Sequence, residues 1–335
     1  MVRANNICIG TAFFHVEGHS LNLGKASYKE KLEAYYKCMI VFFASARKFH
    51  PEAKLVLFSN EKLPDSYTKL LDHYKVHQEI LTSGDIKYCN KVDIENNFPG
   101  CLFTLDVIDY SNKKRELLDG CGSLMIFDSD CVFLNSIDGI SSGIGGIDLK
   151  YSANHIENKQ SRSSLSLIRH AMADKFCGPI IGPYYGGEFY GISVKLLDQI
   201  AGDIKNTVEY ITSNKDTWGK FFTEEHILSI VYAMNEENII DKRIIKRVWT
   251  TDTFHNIDGN EKEYKILHYP AEKNSFFQEI YDNIKNDTNL FENMLDEEVK
   301  EIALWPIKLR LNPPMLKKIK IMTKTKIKNF IKKFV

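Results

Sequence analysis

The chain has 335 residues, of which 44% are hydrophobic and 26% are charged. This is ordinary globular composition, and it excludes a disordered or collagen-like chain. Lysine plus arginine and aspartate plus glutamate both number 44, so the net charge of zero gives no indication of a partner. Seven scattered cysteines without a C-x-x-C pair predict buried free thiols in a reducing compartment.

Apolar segments alternate with segments of helical periodicity along the first half of the chain. Short apolar runs predict strands over 7–14, 54–58, 77–81 and 124–127. Helical spacing predicts helices after the capping box Ser27-x-x-Glu30 and over 67–74, 103–118 and 223–235. This alternation predicts an α/β fold with a mostly parallel central sheet flanked by helices.

The most informative segment is SLMIFDSDCVFL, which spans residues 123–134. Its two aspartates, Asp128 and Asp130, lie between apolar runs at the predicted carboxyl end of a buried strand. Residues i and i+2 of an extended chain point the same way, and ligands of open α/β sheets gather at this edge. Two neighbouring carboxylates repel unless a cation or proton lies between them. The segment therefore predicts a Mn²⁺ or Mg²⁺ site, and the alternative is a polar turn at a strand end.

This arrangement of apolar strand, D-x-D and second apolar strand resembles the GT-A glycosyltransferases. It is most similar to their retaining bacterial members, which use nucleotide sugars. The resemblance covers roughly residues 5–275. It implies the Rossmann-like GT-A fold, in which Asp128 and Asp130 would hold Mn²⁺ or Mg²⁺ against the diphosphate of the donor and Ser129 would be a further contact of the nucleotide sugar.

Later segments match the same family in order. Gly186, Gly187 and Glu188 resemble the segment that lines the donor-sugar and acceptor pocket, and the alternative is a tight turn entering a helix. Glu224 and Glu225 open a predicted helix at a position where the family has acidic residues that face the sugar or activate the acceptor. The alternative for this pair is stabilisation of the helix N-terminus.

His268 and Lys273 resemble the late His…Lys motif of retaining members, in which the histidine completes the metal shell and the lysine contacts phosphate. The family's glycine after the histidine and its Pro-Trp after the lysine are absent here. The alternative for His268 is a satisfied surface or core histidine. The resemblance also places the nucleotide over the end of the first strand, and the further candidates for contacting it are Thr11, Ala12, Phe13 and Lys91.

Together these parts imply transfer of a sugar from a nucleotide sugar, with a UDP-sugar favoured, to a glycan or lipid-linked glycan in surface polysaccharide biosynthesis. Such transfer passes through an oxocarbenium-like state. The metal and Lys273 would stabilise the leaving diphosphate. A glutamate would act as the base in an inverting enzyme or stabilise the cation in a retaining one, and the candidates are Glu188, Glu224 and Glu225.

Two alternative functions remain open. A phosphatase of the haloacid dehalogenase type would use Asp128 and Asp130 as nucleophile and general acid. Its motif normally lies near the N-terminus, whereas here about 120 residues precede it, and no convincing later acidic motif follows. A non-catalytic protein docked on membranes would require neither aspartate.

The C-terminal segment differs from the rest in charge. Residues 302–335 contain ten basic and no acidic residues, which leaves 34 basic and 44 acidic residues elsewhere. On a helical wheel, residues 315–335 form an apolar face bordered by lysines, which is typical of a helix on an anionic membrane surface. The alternatives are a solvated tail or a helix that binds a partner. Only Phe330 and Phe334 could stack on bases, so nucleic acid is not an expected partner.

We therefore predict a GT-A catalytic domain over 1–304 and a basic amphipathic membrane-association tail over 305–335. The catalytic domain would comprise a nucleotide-binding half (1–137) and an acceptor half (138–304). The sequence shows no signal peptide and no apolar stretch of about 20 residues that would span a membrane. The expected location is cytoplasmic, peripheral on the inner face of the cell membrane.

Overall fold

The computed structural model describes residues 6–17, 21, 26–89, 99–139, 143–148, 182–213, 223–235, 244–251 and 256–311. Within these ranges the strands are β1 (Asn6–Phe13), β2 (Lys54–Ser59), β3 (Val76–Ile80), β4 (Cys121–Phe127), β5 (Cys131–Phe133), β6 (Ile144–Asp148), β7 (Tyr185–Ser193), β8 (Ile245–Arg247) and β9 (Ile266–His268). The helices are α1 (Tyr28–Phe49), α2 (Asp65–His73), α3 (Phe103–Lys113), α4 (Leu197–Ser213), α5 (Glu224–Met234), α6 (Phe276–Asn286), α7 (Asp296–Ala303) and α8 (Trp305–Leu311).

A six-stranded sheet in the order β3-β2-β1-β4-β7-β6 forms the centre of the fold. β3, β2, β1 and β4 run parallel, whereas β7 pairs antiparallel with both β4 and β6. The predicted α/β class with a central sheet flanked by helices is confirmed, and the sheet is mixed. Because the four parallel strands end on the same side, Asp128 follows β4 at the edge that these strands share.

Successive residues of each central strand point to opposite faces of the sheet, so one strand contributes to two cores. Ile9 of β1 joins the core covered by α1, whereas its neighbour Cys8 joins the core covered by α3, α4 and α5. The predicted capping box begins α1, with the Ser27 N–H donating to Glu30 at 2.8 Å. Gly10 allows β1 to pack closely on β2, because a Cβ there would lie 2.9 Å from the Phe58 ring.

A second sheet has three short strands in the order β5-β9-β8. Cys131 of β5 lies opposite His268 of β9, and Arg247 of β8 lies opposite the same histidine. The Phe133 N–H donates to Ser45 Oγ of α1 at 3.1 Å, which ties this sheet to the core. The small sheet therefore gathers polar side chains from three distant parts of the chain.

The structure differs from the sequence predictions at two elements. The helix predicted over 103–118 ends at Lys113, and a 3₁₀ turn follows at Arg115–Leu118, where the Arg115 guanidinium donates to the Val194 carbonyl. The alternative of a turn entering a helix at Gly186 and Gly187 is wrong, because these residues lie within β7. Glycine in a strand often marks the close approach of another element, and here that element is α5.

The C-terminal part of the described chain is packed. Ile307 of α8 is buried in the core beneath α1, and residues 312–335, which include the predicted amphipathic segment, lie outside the described residues. Among the helices that are described, none has the length and apolar character needed to cross a membrane. The division of the chain into a catalytic domain and a tail stays a prediction.

Candidate metal centre and the adjoining acidic pocket

Three side chains from two sheets converge at the carboxyl edge of the parallel strands. Asp128 follows β4, Asp130 precedes β5, and His268 ends β9. The His268 Nε2 atom lies 3.4 Å from Asp128 Oδ2 and 3.3 Å from Asp130 Oδ2. The sequence prediction that these three residues share one site agrees with their position in the structure.

The donor set fits a divalent cation. One ligand atom from each of Asp128, Asp130 and His268 lies within 4.8 Å of the others. An ion with ligand distances of about 2.1 Å could therefore bind all three atoms with little rearrangement. Two carboxylate oxygens suit Mg²⁺ or Mn²⁺, and an imidazole nitrogen is a ligand of transition metals. The buried His268 Nδ1 has no hydrogen-bond partner among the described residues.

Lys273 is the cation of this centre. Its ammonium group forms an ion pair with Asp130 and lies 5.4 Å from the centroid of the Tyr35 ring. Burial alone would raise the pKa of Asp130, but Lys273 and then His268 hold it well below its usual range. The pair with Asp130 likewise raises the pKa of Lys273, against the effect of burial. At neutral pH, Asp130 and Lys273 therefore form a buried pair of opposite charges.

Asp128 differs from its neighbour in environment. Its side chain is 47% exposed, whereas that of Asp130 is 4% exposed. Desolvation within the site, together with the negative charge of Asp130, raises the pKa of Asp128 to about 6 although His268 opposes the shift. Asp128 is thus the carboxylate of the pair that is not neutralised by Lys273, and it faces solvent.

A pocket of three glutamates and one arginine adjoins the metal centre. Arg247 Nη2 donates to Glu188 Oε2 at 2.5 Å and lies 3.4 Å from Glu225 Oε1. Glu225 also accepts hydrogen bonds from the Gly187 N–H and the Tyr184 hydroxyl, each at 2.8 Å. Glu225 therefore has three partners, and Glu188 pairs with Arg247.

Glu224 occupies the same pocket with fewer partners. A Cβ on Gly187 would lie 2.8 Å from Glu224 Oε1, so any larger residue at this position of β7 would displace the Glu224 carboxyl group. Glu224 Oε2 is buried and has no hydrogen-bond partner in the described part of the chain. Desolvation, followed by the charges of Glu225 and Asp128, raises the pKa of Glu224 well above its ordinary value.

Backbone hydrogen bonds connect the metal centre to the acidic pocket. The Asp128 N–H donates to the Glu188 carbonyl at 3.1 Å, and the Tyr269 N–H donates to the Asp130 carbonyl at 2.9 Å. Arg247 lies beside His268 in the register of β8 and β9. Metal ligands and acidic side chains are consequently parts of one site.

The other residues that the sequence predicts as nucleotide contacts lie at different places in the structure. Thr11 lies opposite Phe127 in the sheet, so the end of β1 is next to the residue that precedes Asp128. Thr11 is buried, and the Phe13 ring packs against Tyr36 in the core, which leaves the Phe13 backbone rather than its ring for a ligand.

Ala12 is half-buried at the same end of β1, and Ser129 is buried between the two aspartates. Gly186 lies in β7, two residues before Glu188. Lys91 lies outside the described residues, so its role stays a prediction.

Arg247 is the main residue of the site that sequence reasoning missed. It interrupts an apolar run, since Ile244, Ile245, Val248 and Trp249 surround the Lys246-Arg247 pair. The same argument that singled out the aspartates, a charge between buried residues, applied to it as well. Tyr35 and Tyr184, which contact Lys273 and Glu225, carry no comparable signal in the sequence.

The sequence matches no protein-family model, and comparison with curated proteins finds no relative. Functional inference therefore depends on the residues and geometry of the site itself.

Proposed function

We propose that this protein is a metal-dependent GT-A glycosyltransferase. It would move a sugar from a nucleotide sugar, with a UDP-sugar favoured, to a glycan or lipid-linked glycan acceptor. The observation that carries this proposal is the convergence of Asp128, Asp130 and His268 at the carboxyl edge of the parallel strands, beside a pocket of carboxylates. In open α/β sheets this edge is where ligands bind.

The residues of the chain have separate roles in this proposal. Asp128, Asp130 and His268 hold Mn²⁺ or Mg²⁺, and the bound ion supplies positive charge for the leaving diphosphate. The nucleotide lies over the end of β1, which is adjacent to β4 in the sheet. The acidic pocket receives the sugar, because carboxylates accept hydrogen bonds from hydroxyl groups.

Lys273 is less free to contact a phosphate group than the family resemblance implies. Its ammonium group is paired with Asp130 and buried beside Tyr35. To contact a phosphate group directly, it must leave this pair or share it. Its charge nevertheless lies within the centre and lowers the cost of binding a diphosphate there.

A thermal-shift experiment with UDP, GDP and CMP, each with and without Mn²⁺, tests the proposal. We expect one nucleotide to raise the melting temperature only when Mn²⁺ is present, because a ligand that binds the folded state stabilises it. Asp128→Asn and Asp130→Asn should each abolish the rise. Asp119→Asn is the matched control, since this exposed aspartate lies before β4 and outside the site.

The absence of a rise with every nucleotide would contradict the proposed function. Beryllofluoride with Mg²⁺ would then test the phosphatase alternative, in which Asp128 is phosphorylated. A rise that Asp130→Asn leaves unchanged would show that the nucleotide binds elsewhere on the molecule.

The proposed location follows from the tail. Nine lysine and arginine residues lie beyond residue 309, and no acidic residue accompanies them. We infer that this segment holds the enzyme on the inner, cytoplasmic face of the cell membrane as a peripheral protein. A lipid-linked acceptor would then be within reach of the site, which fits a role in surface polysaccharide biosynthesis.

A further inference from the structure

The acidic pocket contains one positive and three negative side chains among the described residues. Glu188, Glu224 and Glu225 meet at the junction of β7 and α5, and Arg247 reaches them from β8. One guanidinium group cannot neutralise three carboxylates. The way in which Arg247 divides its contacts therefore decides which carboxylate stays uncompensated.

Arg247 is directed to two of the three glutamates. Its Nη2 atom forms the 2.5 Å contact with Glu188 Oε2 and the 3.4 Å contact with Glu225 Oε1. The Asn256 amide holds the strand end in place by donating to the Arg247 carbonyl at 2.6 Å. Both contacts come from this one nitrogen, and the buried Arg247 Nε has no partner among the described residues, so the position of Nη2 defines the division.

Glu224 lies outside this pairing. Its Oε1 atom lies against Gly187, and its buried Oε2 atom has no hydrogen-bond partner among the residues described. The Cys101 thiol, a weak donor, is the side chain that pairs with Glu224. A buried carboxyl group with so weak a partner is costly, and a ligand hydroxyl would complete it. The raised pKa of Glu224 agrees with this environment.

We propose that Arg247 is a positioning residue that pairs Glu188 and Glu225 and thereby leaves Glu224 as the carboxylate that contacts the sugar. This inference rests on the proposed function, since it names the catalytic residue of that same site. Glu188 and Glu225 then shape the pocket, and Glu224 hydrogen-bonds a sugar hydroxyl. The three glutamates, equivalent candidates in the sequence, acquire different roles.

Melting temperatures of single and double variants test the pairing without any substrate. Glu188→Gln should lower the melting temperature by about 5 °C, because it leaves Arg247 with a missing partner in a buried site. Arg247→Met should also lower the melting temperature. The double variant Glu188→Gln/Arg247→Met should lower it by less than the sum of the two single decreases. Glu224→Gln should leave the melting temperature unchanged or raise it, because it replaces a buried carboxyl group that Arg247 does not contact.

Two further variants provide a substitute for Arg247→Met and a control. Arg247→Lys keeps the positive charge and replaces Arg247→Met in the test if that variant does not fold. Combined with Glu188→Gln, it should again lower the melting temperature by less than the sum of the two single decreases. Glu209→Gln, on the exposed side of α4, is the matched control and should change nothing. If Glu224→Gln destabilises as much as Glu188→Gln and couples to Arg247 equally, the proposed division is wrong.

A second readout separates positioning from mere stability. The Glu224→Gln and Arg247→Lys proteins should bind the nucleotide identified by the thermal shift with the same Mn²⁺-dependent affinity as the wild type. The rate of nucleotide release from the corresponding nucleotide sugar should fall at least about 100-fold in both. Unchanged rates in both would overturn the inference. If no nucleotide binds the wild type, the proposed function fails, but the melting-temperature cycle still decides how Arg247 is paired.

Discussion

Asp128 and Asp130 are two residues apart, yet they have different environments. Asp130 is buried and paired with Lys273, whereas Asp128 is half-exposed and has the like charge of Asp130 beside it. Removing one partner of a buried ion pair leaves the other charge uncompensated. The two aspartates should therefore respond differently to the same substitution.

We predict that Asp130→Asn destabilises the metal-free protein by about 3 kcal/mol, because the Lys273 charge then stays buried without its partner. Asp128→Asn should change the free energy of unfolding by less than about 1 kcal/mol, because its carboxylate is half-exposed and repelled by Asp130. Urea unfolding in the presence of a chelator measures both.

Adding Lys273→Met to Asp130→Asn provides the control for this prediction. The double variant should recover part of the lost stability, because it removes the uncompensated charge as well. Equal destabilisation by Asp128→Asn and Asp130→Asn would contradict the assigned pairing.

Sequence reasoning found the residues of the site that lie in a recognisable pattern. The aspartate pair and His268 were predicted together, and the structure places them together. Arg247 is recognisable in the sequence as a charge within an apolar run, but its partners are not, because the register between β8 and β9 brings it beside His268 from a distant position in the chain. Similarly, the pairing of Lys273 with Asp130 depends on a contact across 143 positions.

At the scale of elements, helix α1 ends at a buried histidine that connects it to the chain beyond β5. His50 is 8% exposed, and its Nε2 atom accepts a hydrogen bond from the Ile137 N–H at 3.2 Å. This bond requires the unprotonated nitrogen. Burial lowers the pKa of His50 to about 4, and the opposing charge of Asp138 only partly offsets it.

The sign of the resulting pH dependence follows from proton binding. An unfolded histidine has a pKa of about 6.5, so between about pH 6.5 and 4 the unfolded chain binds more protons at this position. Folding stability is therefore lost as the pH falls through this range. We predict that the titration of His50 lowers the free energy of unfolding by about 2 kcal/mol when the pH falls from 7 to 5.

Urea unfolding of His50→Gln at the two pH values measures this contribution. The glutamine retains an acceptor for the Ile137 N–H but does not titrate, so the variant should lose about 2 kcal/mol less than the wild type. His73→Gln, at the exposed end of α2, is the matched control and should keep the wild-type pH dependence. An identical loss in His50→Gln and wild type would exclude His50 as a source of the effect.

Elements that carry their own local signals were predicted well. The capping box and helical spacing of α1 and the apolar runs of β1, β2 and β4 appear in the structure near the predicted positions. β7 was not recognised because its glycines indicate a turn locally. Its conformation is set instead by pairing with β4 and β6, which is a tertiary effect.

On the scale of the whole molecule, charge is distributed unevenly. The residues before 302 carry an excess of acidic groups, and the segment 302–335 has ten basic residues and no acidic one. An acidic body is repelled by an anionic membrane, so the proposed attachment would have to come from the basic segment. Each lysine near an anionic leaflet contributes about 1 kcal/mol, and buried apolar side chains add to this.

We therefore predict that the full chain binds vesicles containing anionic lipid and that a variant ending at Pro314 does not. Co-sedimentation should show at least a tenfold loss of binding on truncation, and binding of the full chain should weaken with added salt, because screening reduces surface attraction. Vesicles of neutral lipid alone should bind the full chain poorly. The truncated chain should keep its melting temperature, since the deleted residues lie beyond the packed helix α8, so lost binding would not reflect unfolding. Equal binding by both chains would place the membrane contact on the acidic body and exclude the tail as the anchor.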